Sequence, residues 1–159
     1  MTSLSWMAAS AGILLYRRGA GGLEVLLVHP GGPFWARRDQ GVWSIPKGEY
    51  VAGEDPLDAA RREFAEELGV PAPDGEPIEL GEITQRAGKR VRAWALAGDL
   101  DASVIHSNTV MIEWPPRSGR SLEIPEVDRA EWLSLADARV KVNPAQVELL
   151  DRLQAALSA

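Results

Sequence analysis

Cysteine is absent from the 159 residues of this chain. A disulfide framework, a thiolate-based zinc site and a cysteine nucleophile are therefore excluded. The sequence also contains no internal repeat and no low-complexity tract. Its 45% hydrophobic and 25% charged residues are typical of a globular protein, and its length suits one buried core. We therefore expect a single domain over residues 1–159.

Positive charge is scarce in this sequence. Seventeen lysines and arginines stand against 23 aspartates and glutamates, which gives a formal net charge of −6. Nothing in the chain forms an extended basic face, and this argues against a polynucleotide as the main ligand. A small phosphorylated ligand is compatible with an acidic protein, because bound cations offset carboxylates locally. We therefore expect a small phosphorylated partner.

Long apolar segments are missing as well. The stretch WMAASAGILLY, at 6–16, is apolar but too short to span a bilayer. It has neither a preceding basic segment nor a clear export cleavage site. We therefore expect no membrane partner and a cytoplasmic location, and we keep a homodimer as a possible assembly.

Apolar runs bounded by turn residues predict six β-strands. These runs are AGILLYRR, LEVLLVHP, VWSIPKG, IELGEIT, RVRAWALAG and NTVMIEW, at 11–18, 23–30, 42–48, 78–84, 90–98 and 108–114. The segments GPFWARRDQG and PPRSGRS are predicted to be loops, and the pieces AEWLSL and ADARV are too short to assign. Strands and helices in this mixed order indicate an α/β sandwich with a mixed sheet.

Two helices are predicted, at 54–69 and 143–157. In the first, Asp55 is a suitable N-cap, Pro56 suits the first helical position and Gly69 ends the helix. The second helix is amphipathic. Its apolar side carries Val147, Leu150, Leu153 and Leu157.

Three glutamates lie close together on the first predicted helix. At 3.6 residues per turn, Glu63, Glu66 and Glu67 fall within an arc of roughly 100° beside the apolar stripe of the helix. A glutamate cluster on an arbitrary helix is usually a solvated acidic face. However, Arg62 precedes the cluster, and a glycine loop ending in Glu54 precedes the helix. Carboxylates at the edge of a loop are the oxygen ligands that Mg²⁺ and Mn²⁺ prefer, so a metal site is the competing interpretation.

The segment from Gly48 to Val70 resembles a known family motif. Glu54 follows Gly48 after five residues, and REFAEELGV follows after seven more, which matches the Nudix box without a departure. The family consists largely of Mg²⁺- or Mn²⁺-dependent hydrolases that cleave a nucleoside diphosphate linked to another group. The resemblance implies a Nudix-type α/β/α sandwich with a mixed sheet. It also implies a pyrophosphohydrolase that uses water to cleave a nucleoside triphosphate or a dinucleoside polyphosphate.

The competing class within the same family is a non-catalytic nucleotide-binding module that acts as a sensor. Such proteins commonly lose a glutamate or the arginine of the box, whereas this chain keeps all of them. It also shows no DNA-binding helix pair to receive a signal. We therefore expect an enzyme.

The resemblance further implies a site for Mg²⁺ or Mn²⁺. Glu66 and Glu67 would be metal ligands, and Glu63 would either ligate the metal or accept the proton of the attacking water. The turn at Lys47 and Gly48 would offer a backbone carbonyl to the metal. Such ions shield a pyrophosphate, polarise its oxygens and acidify a bound water.

Supporting residues of the site are implied in the same way. Arg62 would orient Glu63 through a charge-assisted pair, and Glu54 would brace the loop or ligate through water. A further carboxylate often lies six residues before a tryptophan in MutT-type members, and this spacing points to Glu126 as an additional ligand or base. Glu113 is a rival, because it precedes a Pro-Pro loop that can hold a side chain rigidly.

Substrate-binding residues are expected among exposed cations and loop tryptophans. Lys47 suits a substrate phosphate as a point charge, and its Pro-Lys-Gly setting resembles Nudix members that act on dinucleoside polyphosphates and inositol pyrophosphates. Further phosphate candidates are Lys89, Arg37 and Arg38. Trp35 and Trp114, in predicted loops, are candidates for stacking on a base. The residues expected to serve packing are Trp43, Trp94, Trp132 and His29.

Overall fold

The computed structural model describes residues 9–158, so the first three residues of the apolar stretch at 6–16 lie outside the described part. Strands and helices follow one another in mixed order along these residues. The strands are β1 (Ala9–Gly19), β2 (Gly22–Pro30), β3 (Lys47–Glu49), β4 (Ile78–Thr84), β5 (Arg90–Ala97), β6 (Thr109–Glu113), β7 (Ser121–Pro125) and β8 (Val127–Ser134). The helices are α1 (Pro56–Leu68), α2 (Leu135–Lys141) and α3 (Val147–Ser158).

Six of the strands form a mixed sheet, as the sequence predicts. Five of them lie in the order β4-β5-β1-β2-β8, and β3 pairs with β1. Strand β1 runs parallel to β5 and antiparallel to both β2 and β3. The end of β1 pairs with β2, whereas its start, at Ser10 to Gly12, pairs with Lys47 to Glu49 of β3. Because β1 pairs with β2 at one end and with β3 at the other, Gly48 at the start of the Nudix box lies beside the central strand.

Helices cover both faces of the sheet. Successive residues of a strand point to opposite sides, so β1 contributes side chains to two buried clusters. Ile13 and Leu15 of β1 pack with Phe64 of α1 in one buried cluster. Leu14, between them in sequence, packs with Leu150 of α3 in a second buried cluster on the other face. The result is the predicted α/β/α sandwich.

Helix α1 begins and ends where the sequence predicts. The side chain of Asp55 accepts a hydrogen bond from the backbone N–H of Asp58 at 3.0 Å, and Pro56 occupies the first turn. The helix ends at Gly69, whose φ of 76° lies in the left-handed region that glycine adopts at little cost. The predicted apolar stripe of Ala60, Phe64 and Leu68 is buried, and Leu57 is partly buried.

Three segments differ from the prediction. The segment at 42–48 forms a strand only from Lys47 onward, since Pro46 cannot donate to a ladder and the residues before it make isolated bridges. Strand β7 was not predicted, and it forms a separate two-stranded hairpin with β6. The short pieces AEWLSL and ADARV belong to β8 and α2, which together run from Val127 to Lys141.

The C-terminal helix forms with a small change at its start. The segment Pro144–Gln146 is a 3₁₀ turn, and α3 itself begins at Val147. Leu150 and Leu153 are buried and Val147 and Leu157 are partly buried, as the amphipathic pattern predicts. No helix among residues 9–158 is long and apolar enough to cross a membrane.

Candidate active site

The side chain of Glu63 passes directly over Gly48. A β-carbon built on Gly48 would lie 2.0 Å from the carboxyl carbon of Glu63, a distance that real contacts never show. Strand β3 therefore approaches α1 closely only because residue 48 has no side chain. Gly48 and Glu63, the first and fourth fixed positions of the Nudix box, are therefore in direct contact.

Arg62 links three of the glutamates. Its Nε and Nη2 donate to the two carboxylate oxygens of Glu54 at 3.2 and 3.3 Å, in a forked arrangement. Its Nη1 donates to Glu63 at 2.8 Å and, more weakly, to Glu66 at 3.5 Å. Because a planar guanidinium fixes the direction of each donor, this arrangement orients Glu63 and ties the loop before α1 to the helix.

Two glutamates of α1 are buried. Glu63 is 9% exposed and Glu67 is 5% exposed, whereas Glu66 lies on the exposed edge of the helix. Burial raises the pKa of Glu67 to about 8, and the nearby carboxylate of Glu126 adds to this rise. Burial also raises the pKa of Glu63, although the hydrogen bond from Arg62 opposes the rise. Buried carboxylates with raised pKa values are typical of sites that bind a cation or transfer a proton.

Glu126 reaches the same site from the opposite side. It stands just before β8, and its charge raises the pKa of both Glu63 and Glu67. The side-chain amide of Asn108 donates to Glu126 at 3.0 Å, and the backbone N–H of Glu126 donates to the carbonyl of Asn108 at 3.0 Å. The carboxylate is therefore held in place before any ligand binds.

The segment His106 to Asn108 connects Glu126 with α1. The backbone N–H of Asn108 donates to the carbonyl of Glu66 at 2.9 Å. The hydroxyl of Ser107 donates to the carbonyl of Asn108 at 2.7 Å and accepts from Val127 at 3.0 Å. Ser107 and Asn108 are supporting residues that were not among the predicted site residues, and the Ser-Asn pair is the only local signal for them in the sequence.

Glu113 lies elsewhere. Its carboxylate accepts hydrogen bonds from the backbone N–H groups of Arg117 and Gly119, at 3.3 and 2.9 Å, within the turn of the β6–β7 hairpin. Both carboxylate oxygens are thus used to shape that turn. The structure brings Glu126 next to the buried glutamates of α1, and it places Glu113 in the hairpin.

Three adjoining cavities that share Lys47 form a groove beside these carboxylates, and we describe it in three parts. The carboxylate end is lined by Ser10, Lys47, Gly48, Glu63, Lys89 and Glu126. The centre has a volume of about 190 Å³ and is lined by Val28, Ile45, Lys47, Glu67, Glu126 and Val127. The amide end is lined by Trp35, Ser44, Lys47, Gln85, Asn143 and Gln146.

Lys47 lines all three parts of the groove. Burial lowers the pKa of its ammonium group, and the charge of Lys89 lowers it further. Among the other predicted phosphate-binding residues, Lys89 lines the carboxylate end, whereas Arg37 and Arg38 are exposed on the loop at 31–46. The structure thus gathers two of the four predicted cations at the groove.

The tryptophans that were predicted to stack on a base and those that were predicted to pack lie in different parts of the structure. Trp35 lines the amide end, edge-on to Phe34 at 4.6 Å between ring centroids. Trp114 follows β6 and pairs with Arg120 across the hairpin. The tryptophans expected to serve packing do so: Trp43 and Trp94 are buried, and Trp132 packs against the cluster on the α1 face.

His29 is buried, as the packing interpretation predicts. Its ring lies edge-on to Trp43 at 5.1 Å, and its nitrogens contact Asp128 at 2.9 Å and the carbonyl of Arg38 at 2.6 Å. The contact with Arg38 holds the loop at 31–46, which carries Trp35, against β2, and the contact with Asp128 links β2 to β8. Its role is therefore structural.

The family model for the NUDIX domain matches residues 6–153. An RNA pyrophosphohydrolase of Rhizobium meliloti (strain 1021) is 30% identical over 131 residues, which are 74% of this chain and 73% of that protein.

Solved structures share the fold. A crystal structure of a C. elegans Ap4A hydrolase binary complex is 25% identical, with a TM-score of 0.66, and the match covers 94% of this chain and 98% of that one. The NUDIX domain of Shewanella oneidensis NrtR, complexed with ADP ribose, is 17% identical with a TM-score of 0.63, covering 95% of this chain and 88% of that one; this likeness concerns the fold alone. The chain belongs to the NUDIX family, and the prediction of a hydrolase that acts on phosphoanhydrides is confirmed.

Proposed function

We propose that this protein is a Mg²⁺- or Mn²⁺-dependent pyrophosphohydrolase that cleaves a phosphoanhydride bond of a nucleoside triphosphate or a dinucleoside polyphosphate by attack of water. The relatives named for RNA pyrophosphohydrolase and Ap4A hydrolase activity support a nucleotide substrate. The observation that carries the proposal is the grouping of Glu63, Glu67 and Glu126 at a groove that Lys47 lines throughout.

The donor set fits a hard divalent cation. Proposed ligands are the carboxylates of Glu63, Glu66, Glu67 and Glu126 and the backbone carbonyl at Gly48. All of these donors are oxygens, which Mg²⁺ and Mn²⁺ prefer. Within residues 9–158, no three acidic or histidine side chains are already arranged to hold a metal ion. Water and the phosphates of the substrate would complete the coordination, as is usual for Mg²⁺.

The chemistry divides between the cation and the side chains. A bound divalent cation supplies charge neutralisation for the phosphates and a more acidic water. Glu63 either joins these ligands or accepts the proton of the attacking water, and its raised pKa favours the second role. Arg62 holds Glu63 in one orientation through its Nη1, and Glu54 fixes Arg62 by accepting hydrogen bonds from its Nε and Nη2. Glu126 acts as a further ligand or as an alternative base.

Substrate phosphates would meet the two lysines of the groove. Lys47 lies between the carboxylate end and the amide end, so its ammonium group can contact a phosphate chain that spans both. Lys89 adds a second charge at the carboxylate end. Trp35 offers an aromatic face at the opposite end, and Arg37, on the exposed loop, is a peripheral contact for the rest of the substrate. We further propose that residues 1–159 act as one domain in the cytoplasm.

A substrate survey tests this proposal. Phosphate or pyrophosphate release is measured with nucleoside triphosphates, ADP-ribose and diadenosine polyphosphates, each with Mg²⁺ and with excess chelator. We expect hydrolysis of at least one nucleoside triphosphate or dinucleoside polyphosphate with Mg²⁺, and none with chelator. Absence of hydrolysis for every nucleotide, in protein shown to be folded by circular dichroism, would refute the proposal.

A further inference from the structure

The hairpin of β6 and β7 stands apart from the six-stranded sheet. Among the strands of residues 9–158, β6 pairs with β7 alone. Met111, at the middle of β6, is 62% exposed. A two-stranded hairpin is at best marginally stable in water unless a further strand or a helix packs against it. The two outer edges of the hairpin decide where a further strand can pair.

Hydrogen bonds at the two ends of the hairpin fix the pattern of its ladder. At the turn, the backbone N–H of Trp114 donates to the carbonyl of Arg120 at 2.9 Å. At the base, the backbone N–H of Glu126 donates to the carbonyl of Asn108 at 3.0 Å. Both pairs belong to the continuous register of the two strands. Because hydrogen-bonded pairs alternate with non-hydrogen-bonded pairs in an antiparallel ladder, every second residue of β6 bonds to β7 and the residues between them do not.

The outer edge of β6 is open. The residues that do not bond to β7 are Thr109, Met111 and Glu113, so their backbone N–H and C=O groups point away from the hairpin. Within residues 9–158, these groups have no backbone partner. The side chains of all three residues are exposed. A row of unpaired backbone groups on an exposed strand is a template for another strand.

The outer edge of β7 is closed. The same alternation turns the backbone of Ser121, Glu123 and Pro125 outward. Proline has no backbone N–H to donate, so Pro125 interrupts this edge. Gly31 packs against the carbonyl of Pro125 so closely that a β-carbon on the glycine would lie 2.0 Å from the oxygen. A further strand can therefore pair only with β6.

The open edge is complementary to itself. Two copies of one edge strand that are related by a two-fold axis run antiparallel. With the axis at Met111, this residue faces its own copy, and Thr109 faces Glu113 of the second copy. Every outward N–H and C=O group of both strands then finds a partner, and no like charges face each other. The equivalent pairing of β7 would set Glu123 against its own copy, which like-charge repulsion disfavours.

An apolar face accompanies the open edge. Side chains alternate between the faces of a strand, so one face of the hairpin carries Val110, Ile112, Leu122 and Ile124. Val110 and Leu122 are 36% and 38% exposed. Pairing of two β6 strands around Met111 places Val110 opposite Ile112 of the second copy. The two apolar faces then join into one, and such cross-strand apolar pairs stabilise a sheet.

We propose that β6 is an interface for a second copy of this chain, in which the two β6 strands pair antiparallel around Met111 and form a four-stranded sheet. One strand from each copy buries less than the roughly 1,000 Å² of a permanent interface, so the dimer forms reversibly and depends on protein concentration. The inference is independent of the proposed function, because it concerns the backbone edge of the hairpin and no catalytic group.

Sedimentation velocity of the full chain tests the interface. A series from about 1 μM to about 1 mM covers the affinities of small interfaces, and the wild type should shift from monomer to dimer across it. Met111→Lys brings two ammonium groups together at the axis and should stay monomeric. Met111→Pro should do the same, because it removes an outward N–H that the β6–β7 ladder does not use. The matched control is Val104→Lys, which adds the same charge at a side chain that is 64% exposed and should dimerise like the wild type.

A mixing experiment tests the two-fold pairing itself. Met111→Lys and Met111→Glu should each be monomeric alone, since each repels its own copy. An equimolar mixture should form a dimer, because opposite charges then meet at the axis. Circular dichroism confirms that each variant is folded before it is mixed. A wild type that stays monomeric at every concentration, a dimer that Met111→Lys and Met111→Pro leave intact, or a mixture that stays monomeric would overturn the inference.

Discussion

The carboxylate of Glu63 occupies the space that a side chain on Gly48 would need. This relationship explains why a glycine in the middle of β3 belongs to the same motif as a glutamate fifteen positions later on α1. The strand and the helix approach each other until only a hydrogen fits between them. The contact fixes where the Glu63 carboxylate points.

Gly48→Ala should therefore lower kcat without unfolding the protein. The added methyl group displaces the flexible end of Glu63, and a misplacement of about 1 Å at a reacting group costs about 10²-fold in rate. The control is Gly21→Ala in the β1–β2 turn, where the new methyl group meets no atom within 4 Å. Steady-state kinetics and thermal melting on both variants check this. Normal kcat in Gly48→Ala would show that the position of Glu63 is not critical.

Arg62→Lys should lower kcat by about tenfold or more with little change in stability. Lysine keeps the charge but cannot hold Glu54 and Glu63 at once, because it lacks the planar fork. The neighbouring Arg61→Lys is the matched control, since Arg61 donates to the carbonyl of Pro73 and not to the glutamates. If both variants were equally active, Arg62 would be only a surface ion pair.

Glu67→Gln should stabilise the metal-free protein, and more so as the pH rises. Burial raises the pKa of Glu67 to about 8 in the folded protein from its ordinary value of 4.5, so folding disfavours the charged form. The resulting penalty is absent below pH 4.5, grows between the two pKa values and is complete above pH 8. Glutamine mimics the neutral form, so its advantage should reach on the order of a few kcal/mol at high pH. Urea unfolding at several pH values measures it.

A parallel pH dependence for wild type and Glu67→Gln would mean that the folded protein does not perturb this carboxylate. The control is Glu66→Gln, one position away on the exposed edge of α1. Its difference from wild type should vary little with pH, because the solvent screens an exposed charge.

Glu126→Gln should lower kcat more than Glu113→Gln, with little change in KM. Glu126 faces the buried glutamates of α1, whereas Glu113 caps the hairpin turn. If Glu126 is the base, its removal should also flatten the acidic limb of the pH–rate profile. Kinetics at saturating Mg²⁺ decide between the two carboxylates. A crippled Glu113→Gln beside a nearly normal Glu126→Gln would transfer the role to the hairpin.

The sequence predicts α1 and its glutamates well because their signals are local. The cap at Asp55, the stop at Gly69 and the spacing of the apolar stripe all lie within one helix. The sequence predicts β6 and the turn after it but not β7, for the opposite reason. Strand β7 pairs only with β6 and is almost entirely exposed, so it carries no alternation of buried and exposed residues. A strand without a buried face needs no alternation of apolar and polar residues, so burial does not impose on its sequence the period of two that predicts a strand.

The supporting contacts of the site are invisible in the sequence because they join distant segments. Asn108 holds Glu126 across 18 residues, and Gln146 reaches Ile45 and Gln85 across 101 and 61 residues. No spacing rule relates such positions. Single polar residues in loops acquire these roles only when the sheet brings their segments together.

The most direct test of the account measures nucleotide hydrolysis by metal-stripped protein as Mg²⁺ is added back, with wild type and Glu67→Gln side by side. We expect no activity in chelator and full recovery of the wild type with Mg²⁺. At saturating Mg²⁺, kcat should be about 10²-fold or more lower in Glu67→Gln, because charge stabilisation by a bound cation is worth several kcal/mol. Hydrolysis that continues unchanged in excess chelator, or a fully active Glu67→Gln, would contradict it.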